Sequence, residues 1–372
     1  MTYGAITVDT SIFAQNGYRL SGGLIAQLTQ FKDKPVGMVL SEIVTRELHK
    51  HLTEKTREST HQLEKCLRAY RELEIATQKE IDEATERLST EISASNIAKA
   101  TIQRFIDATS STLIEVSEIT DFRELVRRYF EQDSPFGAGS KKKHEFPDAM
   151  ALLSLESWAK NNNVRLLAVS SDEDWKAFSK DSEYIDFKND LASALALFQP
   201  DNTSKEFAES LGQMLSERPD AEISEAILER VAEEVAAAPF LSDVDGPFPV
   251  IEDYVELNVA TVEYSADTSI VAVQAQESSL ALRATFSVTG SAHGSFEFEM
   301  KDSIDRDYIS MGSGHESVPF EIETDFLIQL SGNFAGDAEE VSIDSVKLLG
   351  DIGWIDFGYV EPDWMNEPPD ER

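Results

Sequence analysis

Cysteine is almost absent: Cys66 stands alone among 372 residues. That excludes an intramolecular disulfide and a zinc site built on cysteine ligands. Long apolar runs are missing too, and no stretch approaches the ~18 residues of a membrane-spanning helix. The first residues, MTYGAITVDTSIF, lack a basic start followed by an apolar stretch and a cleavage site, so no secretory signal is expected. The simplest expectation is a cytoplasmic protein with no membrane partner. There is no phosphate-binding glycine loop and no internal repeat. Positive charge is scarce, but only in one half. Residues 201–372 carry 8 Lys+Arg against 38 Asp+Glu, whereas residues 1–200 carry 25 against 31. The net charge of −36 therefore belongs mainly to the C-terminal half. A charge of this sign repels nucleic acid at long range, while the near-balanced N-terminal half leaves room for a local basic patch.

What is present is enough to fold. With 372 residues, 41% of them hydrophobic, two or three domains with a sizeable core are expected. AITVDTSIF begins as a β-branched strand and ends its apolar run at Asp9. A helix over SGGLIAQLTQF, a buried strand VGMVL and a helix SEIVTRELHKHL follow, with Ser41 as N-cap and Glu42 in the first turn. Residues 54–110 are helical and highly charged, with Leu63, Leu67 and Tyr70 at helical spacing. TLIEVSEI reads as a short strand and DFRELVRRYF as a helix. A lysine-rich loop then leads into the helix PDAMALLSLESWAKNN, and VRLLAVSS is a buried strand followed by DEDWKAF. Strands alternating with helices predict a parallel α/β sheet, whose ligand site lies at the carboxyl ends of the strands. A helical connector is expected over 191–240. Alternating sequence over 250–365 predicts an acidic antiparallel β domain or sandwich.

Four acids stand out by position. Asp9 closes the first strand and Glu42 opens a helix after the second. Asp148 lies in a first turn marked by Pro147, and Asp172, with Asp174 close behind, follows the last strong strand. Singly, an acid in a first turn is most often a partner of the helix dipole. Together at one sheet end they crowd like charges, a crowding that a hard divalent cation relieves. His49, His51 and His61 lie in charged helical sequence and are expected at the surface. Trp158, Trp175 and Trp354 are expected in the core or at its edge.

VDTSIF, SEIV, EFPDAMALLSLESWA and VSSDEDWKAF, in that order, resemble PIN-domain nucleases, over roughly residues 1–190. The likeness is strongest to a bacterial branch with a lysine-rich loop before an EFPDA helix. It implies an α/β PIN-like domain, a parallel sheet between helices, here with a long helical insert at about 54–110 that departs from the family pattern. It also implies one or two Mg²⁺ or Mn²⁺ ions held by Asp9, Glu42, Asp148 and Asp172, with Asp174 as a nearby fifth acid. Under that resemblance, a metal-activated water cleaves RNA, with Thr10 and Ser171 in supporting positions. Lys141, Lys142, Lys143 and His144, extended by Arg127 and Arg128, would hold the flanking phosphates. Family members often act as toxins or in defence against phage. RNA is favoured over DNA, although the acids by themselves do not separate the two. A non-catalytic PIN-like scaffold is the rival reading, and a homo-oligomer or regulatory partner protein is left open.

Overall fold

The protein is described by a computed structural model that covers residues 3–88, 93–119, 121–136, 145–199, 202–301, 308–335 and 341–366. The chain divides into two compact units, residues 1–195 and 196–372.

The first unit is built on five short strands: β1 (Ala5–Val8), β2 (Gly37–Ser41), β3 (Thr112–Ile114), β4 (Leu166–Val169) and β5 (Ile185–Lys188). All pair in parallel, in the order β3-β2-β1-β4-β5. β1 and β4 are buried at every position, which is why AITV and LLAV read as continuous apolar runs rather than alternating ones. Between β1 and β2 lie α1 (Thr10–Gln15), α2 (Gly23–Ala26) and a short 3-10 turn. The chain leaves β1 toward β2 on one side, and returns through β4 on the other. The crevice between the ends of β1 and β4 is therefore the topological switch point of the sheet.

The helical insert starts inside the first unit's own framework. α3 (Glu42–Glu72) is one unbroken helix of 31 residues, capped by Ser41, whose hydroxyl accepts from the Ile43 N–H. Its base is tied into the core by Val44 and Leu48, and its outer turns are polar. α4 (Gln78–Leu88) and α5 (Ala94–Thr109) follow; α5 packs back along α3, and its Ala98, Ile102 and Phe105 are buried, Phe105 edge-on to Phe13. The insert is thus an extension of the helix that begins at the sheet. α6 (Phe122–Glu131), α7 (Phe146–Asn161), α8 (Glu173–Asp181) and α9 (Leu191–Ala196) complete the layers.

The second unit begins with α10 (Asn202–Glu217) and α11 (Glu222–Ala236), then β6 (Leu241–Asp245). Its large sheet is antiparallel: β7 (Val250–Tyr264), β8 (Val271–Gln276), β9 (Ser279–Lys301), β10 (Tyr308–Ser331) and β11 (Ser342–Leu348). The order is β11-β10-β9-β7, with β8 also pairing β9. β6 pairs in parallel with β12 (Trp354–Tyr359), and α12 (Asp363–Asn366) ends the described chain. Along β9, Leu282, Ala284, Phe286, Val288, Ala292, Phe296 and Phe298 alternate inward, the period of a half-buried strand. They share one core with Phe207 and Leu211 of α10 and Ile227 and Val231 of α11. The antiparallel sheet expected from the alternation is present, and a helix pair covers it rather than a second large sheet. Gly290 is required by close approach: a Cβ there would lie 2.1 Å from the Asn258 carbonyl oxygen and within 3 Å of the Phe320 ring.

No helix among the described residues is long and apolar enough to cross a membrane.

Candidate active site

The end of β1 fixes the first acid. Asp9 is the N-cap of α1 and only 5% exposed. Its backbone N–H donates to the Val169 carbonyl at 2.9 Å, so the ends of β1 and β4 are stitched together at this residue. The Ser170 hydroxyl donates to Asp9 Oδ2 at 2.8 Å, the Ser11 hydroxyl at 2.6 Å and the Ser11 N–H at 3.2 Å. All three bonds fall on Oδ2, so among the described residues Oδ1 is left for another ligand. Ser11 also accepts from the Ser171 N–H at 3.1 Å.

Asp172 caps α8, with Oδ1 accepting from the Asp174 N–H at 2.7 Å. Its own N–H donates to Ser170 Oγ at 3.0 Å, so one buried hydroxyl braces both acids. Asp148 stands in the first turn of α7, behind Pro147. Trp175, buried in α8, donates its indole N–H to Asp148 Oδ1 at 3.1 Å and sets the carboxyl's orientation. Burial pushes the Asp148 carboxyl up to about 7; the indole bond opposes the rise, while the charges of Asp9, Asp172 and Glu47 add to it. Asp174 is likewise raised, by burial and by the neighbouring Asp172 and Glu145.

Two glutamates of α3 part company. Glu42 accepts from the Val116 N–H at 3.1 Å and from Arg46 Nε at 2.9 Å. These bonds hold its carboxyl below the usual range. Its charge is thereby committed to Arg46 and to the chain after β3, and it does not figure among the charges felt by Asp148. Glu47 does. The Thr10 hydroxyl donates to Glu47 Oε2 at 2.6 Å, bringing this side chain to the residue next to Asp9. Asp148 thus feels the charges of Asp9, Asp172 and Glu47, while Glu42 is engaged by Arg46 and the Val116 N–H. Glu47 is half-buried and flanks the apolar face of α3 that carries Val44 and Leu48, so the sequence offers only a weak sign of it.

The supporting hydroxyls shift by one residue on one side. Thr10 orients Glu47, whereas Ser11 and Ser170, not Ser171, hold Asp9. Lys141, Lys142, Lys143 and His144 lie outside the described residues. Arg127 and Arg128 are not a free basic patch, because Arg127 pairs with Glu124, Glu131 and Asp133, and Arg128 with Glu124.

Among the described residues, no three His, Cys, Asp or Glu side chains are grouped as a ready-made metal-binding set. The chemistry of the donors nevertheless fits a hard divalent cation. They are carboxylate oxygens, one oxygen of Asp9 is open, and the repulsion borne by Asp148 is what a cation would relieve.

Ser170→Ala tests the brace. Asp9 would keep only its bonds from Ser11, and a loss of about 1–3 kcal/mol of stability is expected by chemical denaturation. An unchanged midpoint would mean that Ser170 does not hold the acid.

A parallel sheet with carboxylates gathered at its switch point defines an α/β domain with an acidic centre at the strand ends. Residues 6–175 match the family model described as a PIN domain, so this stretch of the first unit is similar to PIN domains. PIN domains are generally nucleases acting on nucleic acid. No curated protein and no solved structure matches the chain significantly.

Proposed function

We propose that the first unit is a divalent-metal-dependent endonuclease that cuts RNA in preference to DNA. The observation that carries the reading is Asp148, a carboxyl raised to about 7 and coupled to Asp9, Asp172 and Glu47 at the carboxyl ends of a parallel sheet. Asp9, Glu47, Asp148 and Asp172 would hold Mg²⁺ or Mn²⁺, with Asp174 nearby. The ion would neutralise phosphate charge and make a water molecule more acidic. The chain's own residues prepare the ground for that chemistry. Ser11 and Ser170 lock Asp9 so that one oxygen stays open. Trp175 fixes Asp148, Thr10 anchors Glu47, and the α8 cap fixes Asp172. Glu42, tied to Arg46, serves the start of α3.

The test is a cleavage assay with single-stranded RNA, tRNA and single-stranded DNA side by side, with Mg²⁺, Mn²⁺ or chelator. Wild-type protein is expected to cut RNA only with metal, and Asp9→Asn is expected to reduce cutting by roughly 10²-fold or more. A wild type as inert as Asp9→Asn with either metal would support a PIN-like scaffold without catalysis. Preferential cutting of DNA would make it a deoxyribonuclease.

A further inference from the structure

Helix α3 links the acidic site to a second surface. Glu47, His51 and Lys55 are spaced four residues apart and share one stripe of the helix. At its base, Glu47 is held by Thr10. One turn on, the His51 ring stacks on Tyr18, with centroids 5.4 Å apart and planes at 27°. One turn farther, Lys55 Nζ lies 5.5 Å from the centroid of the same Tyr18 ring. Tyr18 is placed by an uncommon backbone conformation, φ 57°, with its N–H donating to the Phe13 carbonyl at 2.8 Å. Beyond Lys55 a groove of about 790 Å³ opens between α3 and the start of α5, lined by Lys55, Arg57, Ser59, Thr60, His61 and Ile97 among others.

The charge of this region runs against that of the chain. Residues 50–71 carry six Lys+Arg against three Asp+Glu, in a protein of net charge −36. Among the described residues, Lys55, Arg57 and His61 take part in no ion pair, unlike Arg127 and Arg128, which are engaged by carboxylates. Unpaired cations beside hydroxyls suit phosphates, and stacked rings suit an unpaired base.

We propose that the Tyr18–His51–Lys55 stripe and the groove beyond it are the track for single-stranded nucleic acid leading from the acidic site. Lys55 and Arg57 hold phosphates, and a base extends the His51–Tyr18 stack. The track rests on the nuclease reading of the acidic site and gives its substrate a path along α3. A duplex, whose bases are already stacked, gains nothing from the rings.

Binding in chelator by fluorescence anisotropy tests it, with single-stranded RNA and DNA of about 16 nucleotides and the matching duplex. Lys55→Gln/Arg57→Gln is expected to weaken single-strand binding roughly tenfold at physiological salt. The same variant should lower the slope of log affinity against log salt by about 1.4. His51→Ala is expected to weaken it roughly tenfold without changing that slope. Arg127→Gln, a charge loss on α6, is expected to leave affinity unchanged. Equal losses from Arg127→Gln, equal losses on duplex, or no loss from the α3 variants would each overturn the track. Chelator separates this outcome from the nuclease reading. Protein that binds with the expected pattern but never cuts with Mg²⁺ or Mn²⁺ overturns the nuclease reading alone. Protein that cuts while the α3 variants bind normally overturns the track alone.

Discussion

Asp148→Asn is expected to make the metal-free protein more stable at pH 8 while removing its nuclease activity. The Asp148 carboxyl has a folded-state pKa of about 7, against 3.8 for the ordinary group. Between those values the folded chain holds a proton that the unfolded chain has lost. Stability contributed by this group is therefore fully present below about pH 4 and falls as pH rises through 7. The penalty above pH 7 is at most about 4 kcal/mol, at about 1.4 kcal/mol per pH unit. Asparagine has no charge to bury and can still accept the Trp175 indole N–H. Unfolding midpoints in chelator are thus expected to favour the variant at pH 8, with the difference closing toward pH 4. Mg²⁺ or Mn²⁺ should then stabilise wild type, by binding only the folded state, and do so less for the variant. A variant no more stable than wild type at pH 8 would mean that the acid is well solvated and the site carries no surplus charge.

Glu47→Gln and Glu42→Gln are expected to separate sharply. Glutamine at 47 keeps the bond from Thr10 but loses the charge that reaches Asp148, and cleavage should fall by roughly 10²-fold or more. Glutamine at 42 loses its charge pairing with the exposed Arg46, a surface ion pair worth up to about 1 kcal/mol, and cleavage should change less than about threefold. Single-turnover rates on one RNA substrate with saturating metal decide it. The reverse order of effects would return the second acidic position to Glu42.

The contrast between these glutamates marks where local sequence stops being sufficient. Ser41-Glu42 is a complete local signal: a capping hydroxyl followed by an acid in the first turn. That signal describes how a helix starts, and Glu42 serves that purpose. Glu47 has no local motif. It is half-buried beside the buried face of α3, and its partner Thr10 is 37 residues away. Ser170, 161 residues from Asp9, became its brace only when β1 and β4 paired. The acids at 9, 148 and 172 were legible because each sits at a junction written within a few residues, where an apolar run stops or a proline opens a helix. α10 and α11 read as a connector because helical periodicity does not say which surface a helix will cover; the shared core with β9 does.

The sequence by itself determined the alternation of strands and helices, the antiparallel character of the second unit, the three aspartates at strand and helix junctions, and the concentration of negative charge beyond residue 200. Capping, apolar periodicity and composition act over a turn or a strand, so they survive in a linear reading. The tertiary structure alone decided that the charge of Glu47 reaches Asp148, that Ser11 and Ser170 hold Asp9, and that the helical insert is the continuation of α3. Those outcomes depend on the rotational phase of one helix against a sheet and on charges brought together across more than a hundred residues.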